Sequence, residues 1–335
     1  MPASTDISWP TADGAEAAVA RISPAEALAN YLAAQRDVII EAEIGARGGD
    51  ASAIPAIIVA ARRARSALAA HRVARNRHRD LRRLIEELRW FGLALGAAHD
   101  LDVQASRLRA STGALRARYL RGPVAERVDR YFDYRIDQAR IEGRALLGSR
   151  RYLAVVTDLD TEVVALRKGE ADWAAVDRRG LLLDDLVERV EDRMRAVAVA
   201  RGEDARDAAV HSVRKAVRRT RYFIESIGDD EPERGAALVA LESLQNMLGE
   251  HHDAVVAKRH LLQLAGEAEK AGEPSFTYGL LYQRELGITD RCTESLPHLC
   301  HGAMRAVRAL DHDAASDHDA ALDHDHDHAP VESKR

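Results

Sequence analysis

Apolar residues along this chain return every three to four positions rather than every second one, the period of helices that pack through one face. Ala25, Leu28, Tyr31, Leu32 and Val38 set that rhythm at the outset, directly behind Ser23-Pro24-Ala25-Glu26. A capping serine, a proline at the first helical position and a Glu three residues after the cap make a strong helix start. The run from Gly45 to Gly49 ends this first helix. The same reading predicts helices over about 55–73, 77–96, 100–111, 123–148, 150–167 and 181–201. Further ones are predicted over about 205–227, 233–249, 252–271, 274–286 and 296–310. Arg121-Gly122-Pro123 and Gly228-Asp229-Asp230-Glu231-Pro232 punctuate them. Strand-like alternation is nearly absent, so the expected fold is all-α.

Two segments repeat. VAARRAR at 59–65 matches KAVRRTR at 215–221, an offset of 156. Farther along, Leu95-Gly96-Ala97-Ala98-His99-Asp100 matches Leu248-Gly249-Glu250-His251-His252-Asp253, an offset of 153. The shared order is Arg-rich helix, loop, helix, Leu-Gly-x-x-His-Asp. It predicts two pseudo-symmetric antiparallel helical bundles from an internal duplication, over about 23–167 and 181–310. Together they make one helical region over 23–310, and residues 1–22 and 311–335 read as disordered ends.

Composition adds the class. Aromatic residues are 4% and charged residues 31%, the balance of a globular chain rich in good helix formers. Two cysteines, Cys292 and Cys300, rule out a disulfide scaffold and fit a reducing, cytoplasmic setting. No apolar run reaches the length of a membrane span, and MPASTDISWP lacks the basic and apolar regions of a signal peptide. The expectation is a protein that neither enters a membrane nor carries an export signal.

Charge changes the picture more. The net of −5 hides a tail, 311–335, with eight acidic side chains and two basic ones. Residues 52–90 carry ten arginines against three acids, and 208–224 carry five basic residues and no acid. A GC-rich genome explains why only five of the 49 basic residues are lysine, but not why they cluster. On the helix that begins near Val210, His211, Arg214, Lys215, Arg218 and Tyr222 share a face flanked by Arg219 and Arg221. Val213, Ala216, Val217, Thr220 and Ile224 fall opposite and form the packing stripe. Like charges four residues apart oppose a helix, as in Arg214/Arg218 and Lys215/Arg219. A sequence that tolerates such stacking has an anion for it, or acids from a neighbouring helix. Guanidinium forks match phosphate oxygens bidentately, and cations repeated once per helical turn suit a chain of phosphates.

Three readings of the His-Asp doublets stay open. His99-Asp100 and His252-Asp253 are metal ligands of a helical phosphohydrolase, which needs further ligands from other helices. Alternatively, the Asp caps the start of a new helix. In the third reading, His99 and His252 face the anion beside the arginines. The second and third together are favoured.

The helix Val210-His211-Ser212-Val213-Arg214-Lys215-Ala216-Val217-Arg218-Arg219-Thr220-Arg221-Tyr222 and the later Leu248-Gly249-Glu250-His251-His252-Asp253-Ala254 resemble the CHAD family, the histidine-containing α-helical domain. Leu88-Arg89-Trp90 through Leu95-Gly96-Ala97-Ala98-His99-Asp100-Leu101-Asp102-Val103 is similar to the family's first-half signature. The resemblance implies two pseudo-symmetric four-helix bundles around a basic surface or pore. It also implies binding of inorganic polyphosphate, in bacteria at polyphosphate granules. Position by position, His211, Arg214, Lys215, Arg218, Arg219 and Arg221 match in the second half, and Arg62, Arg63 and Arg65 in the first. The first-half counterparts of His211 and Arg214 are Pro55 and Ile58, which donate nothing to phosphate. Arg72, Arg75, Arg79, Arg82, Arg83 and Arg89 are the candidates to compensate.

The tail places His312, His318, His324, His326 and His328 among seven aspartates. Such a tract binds Zn²⁺, Ni²⁺ or Cu²⁺ weakly, competes for the basic face, or is simply solvated. Cys292, His298, Cys300 and His301 lack standard zinc spacing. The expected function is non-catalytic polyphosphate binding with no cofactor and no metal site. The alternatives are a metal-dependent phosphohydrolase and a nucleic-acid binder. Scarce aromatics on the basic helices argue against base recognition.

Overall fold

In the computed structural model of the chain, the described residues are 23–50, 52–70, 78–169, 179–227 and 232–323; in 78–79, 179–181 and 311–323 only the backbone is described. The elements are α1 (Pro24–Arg47), α2 (Ala53–Ala70), α3 (His78–Gly113), a 3₁₀ turn (Ala117–Tyr119), α4 (Val124–Leu147), α5 (Arg150–Arg167), α6 (Arg179–Val199), α7 (Glu203–Ser226), α8 (Pro232–Lys270) and α9 (Phe276–Asp323). Among the described residues there is no strand, and the fold is all-α.

The start of α1 is the one expected: the Ser23 hydroxyl accepts from the Glu26 amide at 3.2 Å, and Gly48 caps the other end. Its buried stripe is Leu28, Leu32 and Ile39. Val38, expected in that stripe, is 38% exposed, because the helix turns Ile39 inward instead. The expected break at Arg121-Gly122-Pro123 is present. Gly122 takes φ +79°, a left-handed conformation open to glycine, and the Thr277 hydroxyl accepts from the Arg121 amide at 2.8 Å.

Three expected breaks are absent. Helix α3 runs through 96–100, α8 through 249–252 and α9 through 286–296. An interior glycine opposes a helix by only about 1 kcal/mol, and Gly96 and Gly249 sit among strong helix formers. The doublet aspartates are therefore mid-helix, and the reading of Asp100 and Asp253 as helix caps is wrong. Pro297 lies inside α9 rather than near its start. Helix α9 continues to Asp323, while residues 1–22 and 324–335, with His324, His326 and His328, lie outside the described residues.

Because α3, α8 and α9 are so long, each contributes to two apolar clusters. The first is built from α1, α2, the start of α3 and α5, around Leu32, Ile57, Phe91 and Tyr152. The second is built from α6, α7, the start of α8 and the end of α9, around Val190, Val217, Leu244 and Val307. A third joins the two sets: Leu108 of α3 and Phe132 of α4 meet Leu261 and Leu264 of α8 and Tyr278 of α9. Arg107 of α3 reinforces this junction, donating to Glu250 at 2.8 Å and to the buried Glu285 at 2.6 Å.

A second junction brings the two basic helices together. Glu225 of α7 accepts from the Tyr31 hydroxyl at 2.9 Å and from Arg221 at 3.0 Å, and pairs with Arg63 of α2 at 3.2 Å. Arg219 reaches across to donate to the Ala69 carbonyl at 2.8 Å. Helix α7 packs through the expected stripe: Val213, Ala216, Val217, Thr220 and Ile224 are all buried.

Candidate anion-binding site

With that stripe inside, α7 turns His211, Arg214, Lys215 and Arg218 the other way. Helix α2 sets Arg62 and Arg65 beside them, α3 adds Arg89, and α8 adds His252 and Arg259. These cations are close enough to repel one another; Arg62, Arg65, Arg214 and Arg218 are half-buried, whereas Arg89, Lys215 and Arg259 at the margin are exposed. Burial lowers the Arg218 pKa to about 10, helped by Arg214, Arg62 and Arg65. Burial likewise lowers Arg65, with Arg62 and Arg89 adding to it. Arg214 is lowered by burial and by Arg62, against the opposing pull of Asp253 and Asp100.

Several arginines elsewhere have a carboxylate. Arg109, Arg127, Arg140, Arg151 and Arg308 are each held by an acidic side chain. Among the described residues, Arg62, Arg65, Arg89, Arg214, Lys215, Arg218 and Arg259 make no hydrogen bond or ion pair. The Nε of Arg214 and the Nδ1 of His211 are buried without a hydrogen-bond partner. Buried polar atoms are ordinarily satisfied, so a group of unpaired donors aimed at one place marks a site for an acceptor.

The imidazoles of His211 and His252 stack at one end of the cluster, 5.1 Å between centroids and 27° between planes. Burial, then Arg214, His211 and Arg218, lower the His252 pKa to about 4. His211 is lowered by burial, then by Lys215, Arg214, Arg218 and Arg259. At neutral pH both rings are uncharged, and each offers one N–H. Behind them, buried His251 places Nε2 3.4 Å from Asp207, and Asp207 accepts from Lys258 at 3.0 Å. Lys258 also donates to Glu203 at 2.6 Å, so the first turns of α7 are tied to α8 and the ring pair is held.

The predicted site residues therefore separate into three groups. His211, Arg214, Lys215, Arg218, His252, Arg62 and Arg65 are brought together. Arg63, Arg219 and Arg221 face the cluster's edge in sequence but are engaged with Glu225, the Ala69 carbonyl, and Glu225 with Glu242 respectively. Tyr222, placed on the basic face by its spacing, is buried with Arg63 6.0 Å from its ring. His99 lines a separate recess beside Pro55. The side chains of Arg72, Arg75 and Arg79 lie outside the described residues. Among the described candidates, Arg82 is exposed, Arg83 pairs with Asp158 at 3.1 Å, and Arg89, though exposed, lies close enough to act on Arg65.

Sequence reasoning missed Arg259, although it follows His252 by two helical turns and so shares its face. It also missed the role of the doublet aspartates. Asp100 and Asp253 both act on Arg214, and burial raises the Asp253 pKa despite Arg214 and Arg107. Among the described residues no three His, Cys, Asp or Glu side chains converge as a metal-ligand set, and both cysteines are free and buried.

A family model described as the CHAD domain matches residues 30–262. Uncharacterized proteins from two strains of Mycobacterium tuberculosis are each 33% identical over 231 residues, covering 67% of this chain and 43% of theirs. The chain thus spans less than half the length of these relatives. Among solved structures, PptA from Streptomyces chartreusis superposes with a TM-score of 0.67 at 20% identity, over 82% of this chain and 98% of its own. The CHAD domain of the plant Ricinus communis superposes with a TM-score of 0.64 at 23% identity, over 83% and 92% respectively. Among the described residues no helix is long and apolar enough to cross a membrane. The matched segment takes in every cation of the cluster, from Arg62 to Arg259, and the chain belongs to the CHAD domain family.

Proposed function

We propose that the chain binds inorganic polyphosphate, without transforming it, on the cluster formed by α2, α3, α7 and α8. The observation that carries this reading is a set of half-buried guanidinium groups from both halves of the chain, Arg62, Arg65, Arg214 and Arg218, none of them ion-paired or hydrogen-bonded to a carboxylate. Empty, the cluster destabilises itself, because desolvated like charges repel. A phosphate chain reverses the sign of that energy. Its oxygens accept from Arg214 and Arg218 one helical turn apart, while Arg62 and Arg65 close on it from α2. The neutral rings of His211 and His252 each donate an N–H at the end of the ladder. Counterion release from the polymer adds a salt-dependent, length-dependent term. An activity of this kind suits residence at polyphosphate granules.

The test is a titration of the full chain with orthophosphate, short and long polyphosphate across a salt series, followed by gel analysis of the polymer. Affinity rises with chain length, falls steeply with salt, and the polymer stays intact with Mg²⁺ or Mn²⁺ present. Orthophosphate competing as well per phosphate as long polymer overturns the ladder. Shortened polymer overturns the non-catalytic reading.

A further inference from the structure

The repeat offsets single out one more place. Pro55 of α2 corresponds to His211, and His99 of α3 corresponds to His252. In the second half the two rings fill the space between them by stacking. In the first half a proline and one imidazole leave it open, as a recess of about 370 Å³ between the ends of α1 and α4, the start of α2 and the middle of α3. That volume lies in the range of small-molecule sites.

The lining is apolar on one side, where Ile54, Pro55, Leu95 and Leu147 form the wall. Gly143 also lines it, where a Cβ would make ordinary contact with Leu95 at 3.7 Å. The two acids at the recess are engaged. Asp50 accepts from the Ser52 amide and hydroxyl at 2.8 Å each, and Asp102 accepts from Arg140 at 3.0 Å. Two donors are not engaged: His99 and Arg144 make no hydrogen bond or ion pair among the described residues. A cation and an imidazole beside an apolar wall fit an acid with an apolar body, not a bare phosphate.

We propose that this recess binds a small organic monoanion, its apolar body against Pro55 and Leu95 and its carboxylate on Arg144 and His99. The site is separate from the polyanion cluster and stands whether or not polyphosphate binds there. The experiment is ligand-observed saturation-transfer NMR on the full chain, with benzoate, cyclohexanecarboxylate and neutral benzamide as probes. Both acids bind, benzamide binds more weakly, and orthophosphate displaces neither acid. Ala98→Leu fills the recess and abolishes binding, while Arg144→Ala weakens the acids by about tenfold and leaves benzamide unchanged. Arg144 is exposed, so its variant folds whatever Ala98→Leu does. Absence of binding by both acids, displacement by orthophosphate, or unchanged benzoate affinity in Arg144→Ala each overturns the proposal. So does retained binding in Ala98→Leu with unaltered circular dichroism.

Discussion

Helices α2 and α7 carry the same basic motif and use it differently. In α7 the position of Arg214 faces the anion site, whereas its α2 counterpart Ile58 is 2% exposed within the first apolar cluster. The same holds one turn earlier, where His211 stacks on His252 and Pro55 borders a recess. Yet the two helices do not make two sites. Arg62 and Arg65 lie against Arg214 and Arg218, so α2 lends its cations to the face that α7 builds. The difference teaches that a repeated motif can divide its labour, one copy supplying core and the other supplying donors, once packing sets them side by side.

The largest expected effect breaks the comparison outright. Arg214→Ala with Arg218→Ala removes two charge-assisted contacts of roughly 1.5–3 kcal/mol each, so polyphosphate affinity falls by about a hundredfold or more. The melting temperature does not fall, because these side chains lie opposite the packing stripe and repel each other. Arg62→Ala with Arg65→Ala lowers affinity less, by about tenfold. Equal losses from the two double variants would show that α2 and α7 are equivalent partners, and no loss from either removes the polyphosphate assignment.

Converting one helix toward the other gives the next effect. Ile58→Arg places a charge in the first apolar cluster and destabilises the protein by about 3 kcal/mol or more. Arg214→Ile, the reverse exchange, leaves stability unchanged or raised. Denaturant midpoints measure both, and a harmless Ile58→Arg would mean that α2 keeps a free face.

Glu225→Gln sharpens the junction between the helices. It weakens the hold on Arg63 and Arg221 and lowers stability by about 1–2 kcal/mol, with affinity changed only through the looser α2–α7 contact. A larger loss of affinity than of stability would place Arg63 or Arg221 on the anion.

The smallest effect is one of pH. The His252 pKa is about 4 in the folded chain and about 6.5 unfolded, so the unfolded chain binds more protons between those values. Stability is therefore lost as pH falls from 6.5 toward 4, by about 1–2 kcal/mol once solvent screening is allowed for. His252→Gln flattens that slope. Bound polyanion favours the charged rings, so affinity rises on acidification over the same window. A His252→Gln variant with the wild-type pH profile would detach the ring pair from both effects.

Helices are local objects, and the chain alone determined them: the apolar period, the Ser23 cap, the Gly122 turn and the packing stripe of α7 were all legible. The concentration of donors on one face of α7 was legible for the same reason, since 100° per residue needs no knowledge of neighbours. Glycine misled the reading at Gly96 and Gly249, where a modest local penalty is outweighed by the apolar surface that an unbroken helix buries. Only the tertiary structure decided which cations are available. Arg218 and Arg219 are adjacent in the chain, yet one turns to the anion site and the other to the Ala69 carbonyl. Arg63, next to Arg62 in the chain, meets Glu225, which comes from 162 residues away. Whether a guanidinium is free depends on acceptors from distant segments, and no periodicity within its own helix records them.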